Sequence, residues 1–252
     1  MNDRSEKFRN LLVPVLSVVL GLILGAILMA AFGFQPIQGY SSMLDAALGS
    51  QRGIGETLRQ ATPLIFTALG FSVANSAGFF NIGLSGQALC GWIVSVWVAL
   101  AFPDLPKVVL LPLCVILGAL AGAMAAAVPG LLRAFFGTSE VIVTIMMNYI
   151  LLYVSTFALH EVMPESYRSS LDSSNMISQN ASLRLPWLTQ AFGGSRVNSG
   201  LFLAIIALIF VWLLMKKTTL GFEIRSVGLN PFASEYAGMS SKRTIVLSTV
   251  KI

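Results

Sequence analysis

Long apolar runs constrain this chain more than any other feature. The stretches 11–34, 61–77, 83–102, 108–128, 139–160 and 200–215 carry no charge except Glu140, and a seventh begins near Thr244 and stops at Ile252. About 20 apolar residues take an α-helix across the hydrocarbon of a bilayer. The second and sixth runs are short for a span; tilting, a break or flanking residues would each accommodate that. The 252 residues are 56% hydrophobic and only 11% charged, whereas soluble domains carry roughly 25% charged residues. A core of this size cannot hide so much apolar surface from water, so the solvent is lipid. Lipid offers no hydrogen bonds, and only helices and closed barrels satisfy their own backbone. No run alternates as a barrel strand does. The expected fold is therefore all-α, a polytopic transmembrane helical bundle of six spans plus the start of a seventh. The first run exceeds the roughly 7–15 apolar residues of a secretory signal, which predicts a retained first helix.

The net charge of +5 is small and spread along the connections, which points to membrane orientation and away from nucleic acid. With the N-terminus in the cytoplasm, the inner side holds Arg4, Lys7, Arg9, Arg133, Lys216, Lys217, Arg225, Lys242 and Arg243. The outer side holds Arg52, Arg59, Lys107, Arg168, Arg184 and Arg196. This places 35–60 and the Ser- and Asn-rich stretch 161–199 outside, with 129–138 and 216–243 inside. Cys90, Cys114 and His160 have no metal-ligand spacing, so no metal and no cofactor is expected. No G-x-x-x-x-G-K-[ST] is present, so the chain does not cradle ATP by that route.

Small residues mark where helices meet. Gly21 and Gly25, Gly118 and Gly122, Gly70, Ala74 and Gly78, and Gly91, Ser95 and Ala99 each recur at every fourth position. Such faces let backbones approach closely in lipid. Between the second and third runs stands "GFFNIGLSGQ", residues 78–87, glycine-rich, polar and uncharged. Asn75 and Ser76 precede it, Asn81, Ser85 and Gln87 belong to it, and Trp92 follows. On the fifth run Glu140, Thr144 and Asn148 share one helical face. Two readings stay open. These groups hydrogen-bond neighbouring helices, or they line a path for a polar solute. The glycine-bounded segment is likewise either a tight turn at the cytoplasmic rim or an unwound element near the midplane, tolerated there only if buried or lining a cavity. Phe79 and Phe80 could stack on a ring, but packing is the plainer role.

Residues 216–243 predict structure outside the membrane. Asn230 suits a helix cap, Pro231 the first helical position and Gly238 the stop, giving a two-turn helix over 231–237. A docking surface explains such sharp boundaries. A helix resting on lipid is the other reading, against which Glu235 and the few cations argue.

Three stretches together, "TPLIFTALGFSVANSAGFFNIGLSGQALCGW", "LRAFFGTSEVIVTIMMNYI" and "GFEIRSVGLNPFASEYAGM", resemble permease subunits of bacterial ABC importers for nucleosides, within the wider group of ribose and branched-chain amino acid permeases. The resemblance implies a subunit of the cytoplasmic membrane that performs no catalysis. Its partners would be separate ABC ATPase subunits, a second permease subunit and an extracytoplasmic solute-binding lipoprotein. It would move nucleosides, or alternatively a simple sugar, by alternating access. The implied solute path comprises Asn75, Asn81, Ser85, Gln87, Trp92, Thr144 and Asn148. The implied ATPase-coupling set comprises Gly221, Arg225, Gly228, Asn230, Pro231, Tyr236 and Gly238, in a coupling segment 216–243 of one permease domain over 1–252. Many relatives carry an acid where Ser85 stands, so no charge-based role transfers there. Family members are also longer, which implies a domain incomplete at its C-terminus. A truncated, non-transporting membrane fragment is the further alternative.

Overall fold

The computed structural model describes residues 3–170 and 173–250, with side chains from Leu12 onward. The side chains of Arg4, Lys7 and Arg9 and the end of the seventh run at Ile252 lie outside what is described. Eleven α-helices follow in order: α1 (Asp3–Ala31), α2 (Pro36–Leu48), α3 (Gln51–Ser76), α4 (Leu84–Ala101), α5 (Lys107–Phe136), α6 (Glu140–Phe157), α7 (Pro186–Ala191), α8 (Gly200–Lys217), α9 (Thr219–Leu229), α10 (Pro231–Tyr236) and α11 (Ser241–Val250). A π turn at Ala158–Val162 prolongs α6, and a small antiparallel ladder pairs β1 (Arg168–Ser170) with β2 (Ser173–Ser174). Among the described residues the fold is all-α apart from that ladder.

Among the described residues five helices are long and apolar enough to cross a membrane: Leu12–Ala31, Leu84–Ala101, Lys107–Phe136, Glu140–Val162 and Gly200–Lys217. The run 61–77 is the apolar part of α3, whose first turns carry Arg52, Glu56 and Arg59; it is not among the five. The run from Thr244 belongs to α11, ten residues long as described. Two stretches outside the apolar runs are helical. The stretch 35–60 is not a plain loop but α2 and the start of α3, because Pro36 sits at the first helical position and pre-sets its φ. Pro129 does not end α5. The helix runs on to Gly137, whose φ of 63° lets the chain turn out of the helix.

The chain forms two compact units. One contains 1–58 with 187–197, the other 59–186 with 198–252. In the first, the Tyr40 hydroxyl donates to the Leu22 carbonyl at 2.7 Å and fills the face of α1 at Gly25. The Arg196 amide donates to Glu56 Oε1 at 2.8 Å. The described side chains of α1 are none of them buried.

In the second unit two small-residue faces meet each other. A methyl group on Gly118 would collide with Ser95 and the Gly91 carbonyl, and one on Gly91 would press on the Gly118 carbonyl. The Ser95 hydroxyl donates to the Cys114 carbonyl at 2.9 Å. The backbones of α4 and α5 therefore cross in direct contact, as small residues permit in lipid. The outward faces of α5, α6 and α8 are lined by large apolar side chains such as Ile116, Met146, Tyr153, Ile206 and Phe210, a surface suited to lipid and hazardous in water.

Both ends of this unit are identifiable. At one, Arg133 Nε pairs with Glu140 Oε2 at 3.2 Å and Lys242 lies over the Phe135 ring. At the other, Lys107 donates to the Arg184 carbonyl and Asn180 to that of Leu105. The two groups of cations assigned to opposite sides from the sequence are thus represented at opposite ends of α5. If the α4–α5 crossing holds the unit, Gly118→Leu should destabilise the protein by about 1–3 kcal/mol through overpacking. Gly21→Leu, with nothing within 4 Å, should be neutral. Thermal melts of the two variants in detergent give the comparison.

Candidate functional site: a helix break and its cavity

The segment 77–83 is a break between two helices. α3 ends in a Schellman motif, with Gly78 at φ 75°, its amide bonded to the Asn75 carbonyl and the Phe79 amide to that of Ala74. α4 starts only at Leu84. Between them Phe79, Asn81 and Gly83 are buried. The break lies deep in its unit. The Gln87 carbonyl is where a methyl on Gly122 would fall, and Gly122 stands at the midpoint of α5, about 20 Å from either end.

Backbone polar groups at such a depth need partners, and α6 provides them. Asn148 Nδ2 donates to the Ile82 carbonyl at 2.9 Å, and its Oδ1 accepts from the Gly86 amide at 2.9 Å. The Thr144 hydroxyl oxygen accepts from the Ile82 amide at 3.3 Å while donating to the Glu140 carbonyl at 2.7 Å. The polar stripe on α6 is therefore matched to the break opposite it. Glu140, the third member, is at the helix end and pairs with Arg133.

Asn81 closes the segment from within. Its Oδ1 accepts from the Gly83 amide at 2.8 Å, and its Nδ2 donates to Gln87 Oε1 at 3.2 Å. Gln87 Nε2 donates back to Asn81 Oδ1 at 3.4 Å. Both side chains are buried, and both border a cavity of about 220 Å³ walled by Phe66, Thr67, Gly70, Gly91, Gly118, Gly122 and Thr249. Among the described residues no ionisable side chain lines it. The glycines that let α4 and α5 approach also leave this wall flat.

The other expected path residues are elsewhere. Asn75, Ser85 and Trp92 are exposed, and none of them borders the cavity. Phe79 is fully buried as packing, and Phe80 meets Phe71 edge-on at 5.2 Å. Gly70, Gly118 and Gly122, singled out in the sequence as packing positions, prove to be walls of the cavity. Their four-residue spacing was the available signal, but spacing does not tell a helix contact from a cavity wall.

The segment 216–243 reaches the break directly. α9 buries Gly221, Ile224 and Val227 on one face. Gly221 lies against the backbone of Leu214 and Met215, and any side chain on it would collide there. Gly228 lies against the Ser76 carbonyl and the Gly78 amide, with no room for a methyl group. Ile224 packs with Val73 and Ala77 at the end of α3. Arg225 donates to the Met215 carbonyl and so caps α8. Asn230 caps α10 as expected, accepting from the Ala233 amide at 3.0 Å, and Pro231 occupies the first position. Gly238, at φ 84°, ends α10 in another Schellman motif. Leu229, Phe232 and Tyr236 are exposed around it, Tyr236 to 96%.

Removing Asn148 would orphan the Ile82 carbonyl and the Gly86 amide. Asn148→Ala is expected to cost about 1–3 kcal/mol, the penalty of leaving the buried Gly86 amide unsatisfied. A lowered melting temperature together with faster amide exchange at Gly86 is the outcome to look for.

Comparisons with known proteins find a family and several relatives. Residues 53–251 match the family model for the permease component of branched-chain amino acid transport systems. The nucleoside ABC transporter permease protein NupB of Lactococcus lactis is 53% identical over 98% of this chain and 68% of its own length. The guanosine ABC transporter permease protein NupP of Bacillus subtilis is 41% identical over 96% of this chain and 68% of its own. A glucose ABC transporter permease protein of Haloferax volcanii is 34% identical over 93% of this chain and 62% of its own. No solved structure matches the chain.

Proposed function

From the premise that this chain belongs to the family of permease components of branched-chain amino acid transport systems, and is a membrane protein, we propose that it is the membrane-spanning subunit of an ABC importer for nucleosides. The observation that carries the nucleoside reading is the identity to the nucleoside and guanosine permeases, 53% and 41% over nearly the whole chain. The cavity beside Asn81 and Gln87, without an ionisable side chain among the described residues, supports it, because a neutral polar solute requires hydrogen bonds and no counter-charge. The subunit makes and breaks no bond in its solute. A simple sugar is the second reading, favoured by the more distant glucose permease.

The permease domain lies in the bacterial cytoplasmic membrane with its N-terminus inside, its bundle comprising the five helices, the apolar part of α3 and a span beginning at α11. The end holding Arg133, Lys242 and α10 then faces the cytoplasm, in accord with the positive-inside rule. Its partners are ABC ATPase subunits, a second permease subunit and an extracytoplasmic solute-binding lipoprotein. Asn230, Pro231 and Tyr236 present α10 to the ATPase. Gly221 and Arg225 hold α9 to α8, and Gly228 seats α9 on the end of α3. A push on α10 therefore bears on the break at 77–83 through a contact of backbone on backbone. Alternating access follows when closure of the ATPase pair moves this element relative to the rest of the bundle. Asn81 and Gln87 stand at the solute path. Thr144 and Asn148 support it by holding the break open, while Asn75, Ser85 and Trp92 stand further from the cavity.

Two experiments test this. In the complete transporter reconstituted in liposomes, labelled uridine or guanosine should enter in an ATP-dependent manner and labelled glucose should not. Asn81→Ala should reduce that uptake at least tenfold at equal membrane level. Glucose uptake without nucleoside uptake would establish the sugar reading instead. Separately, Asn230→Ala combined with Pro231→Ala removes a cap worth about 0.5–2 kcal/mol and should weaken co-purification of the ATPase. Unchanged recovery and unchanged ATPase stimulation would remove α10 from that interface.

A further inference from the structure

Asn81 and Gln87 are joined head to tail, each amide donating to the other's oxygen at 3.2 and 3.4 Å. Asn81 Oδ1 takes a second bond from the Gly83 amide, which fixes that side chain's orientation. A primary amide has two N–H donors and two acceptor lone pairs. The pair therefore retains one N–H on each residue and one lone pair on Gln87 Oε1. Both residues border a cavity with flat glycine walls and, among the described residues, no ionisable side chain.

We propose that this amide pair reads the hydrogen-bonding edge of a nucleobase, with the solute's edge replacing one amide as the partner of the other. The proposal rests on the nucleoside reading and deepens it. A planar donor beside a planar acceptor is what each amide offers its partner now. The pairing edge of every common nucleobase offers the same adjacency, in one order or the other. A carboxamide meets either order by turning over about its last torsion, and Asn or Gln paired bidentately with adenine shows the geometry. The hydroxyls of a ribose have no fixed plane and cannot make this exchange in one piece. Gln87 is the member that moves, since Asn81 is held by Gly83. The glycines at 70, 91, 118 and 122 admit a flat ring beside it. The pair thus selects for the base and tolerates change in the sugar.

The test uses the complete transporter in liposomes and three solutes: uridine, 3-methyluridine with its pairing edge blocked, and 2′-deoxyuridine with its ribose altered. Guanosine, 1-methylguanosine and 2′-deoxyguanosine serve in parallel. Affinities of the isolated solute-binding lipoprotein for each solute are measured first. Wild-type uptake should then disfavour the methylated base by about tenfold beyond the lipoprotein's own preference, as loss of a bidentate contact implies. The deoxynucleosides should show no such excess. Gln87→Ala and the near-isosteric Gln87→Glu should abolish the excess against the methylated base, with the deoxy ratio unmoved. If wild-type discrimination equals that of the lipoprotein alone, the proposal is overturned without recourse to any variant. The same holds if the variants alter both ratios equally. If wild type carries no nucleoside at all, the reading of the substrate falls first, and the two failures are told apart.

Discussion

The structure depends on how the backbone of residues 77–83 is satisfied inside an apolar bundle. A helix interrupted at that depth leaves amides and carbonyls that lipid cannot serve, and each costs several kcal/mol if unpaired. Asn148, Thr144 and Asn81 supply the missing bonds from side chains. That solution has geometric consequences. It requires α6 to pass the break with its polar face inward and α4 to start there. Asn81 and Gln87 are then left beside a space that no other described side chain fills.

The same break ties the two ends of the mechanism together. Gly228 on α9 touches the last turn of α3 backbone to backbone, and Gly78 turns the chain immediately afterwards. A side chain at either position would act as a spacer that could yield. Backbone contact has no rotamer to absorb a displacement, so movement of α9 is passed to the break. The glycines on α4 and α5 serve a related purpose. They bring two helices together at Gly91 and Gly118 and flatten the cavity wall a turn away.

Much of this was legible beforehand. The apolar runs predicted the α4, α5, α6 and α8 helices to within a few residues, except where α5 outran Pro129. The caps at Asn230, Pro231 and Gly238 were read correctly because they are local chemistry, decided within a few residues. Asn81 and Gln87 were picked out as polar groups in an apolar setting. Their mutual bond was not, since a spacing of six residues across a break has no helical or strand periodicity. Asn75, Ser85 and Trp92 had the same composition-level claim as Asn81. Only the direction each faces separates them from it.

The sequence by itself therefore determined that the chain is suited to lipid, that it is helical, where most of its apolar helices lie, and that polar groups cluster in two places. These follow from transfer energies and local backbone preferences, which need no knowledge of neighbours. What only the tertiary structure decided is that the two polar places are one. The face of α6 and the break before α4 lie more than sixty residues apart in the chain, and nothing local encodes their meeting. It results from packing, which brings donors to acceptors because the surrounding lipid gives them no other partner.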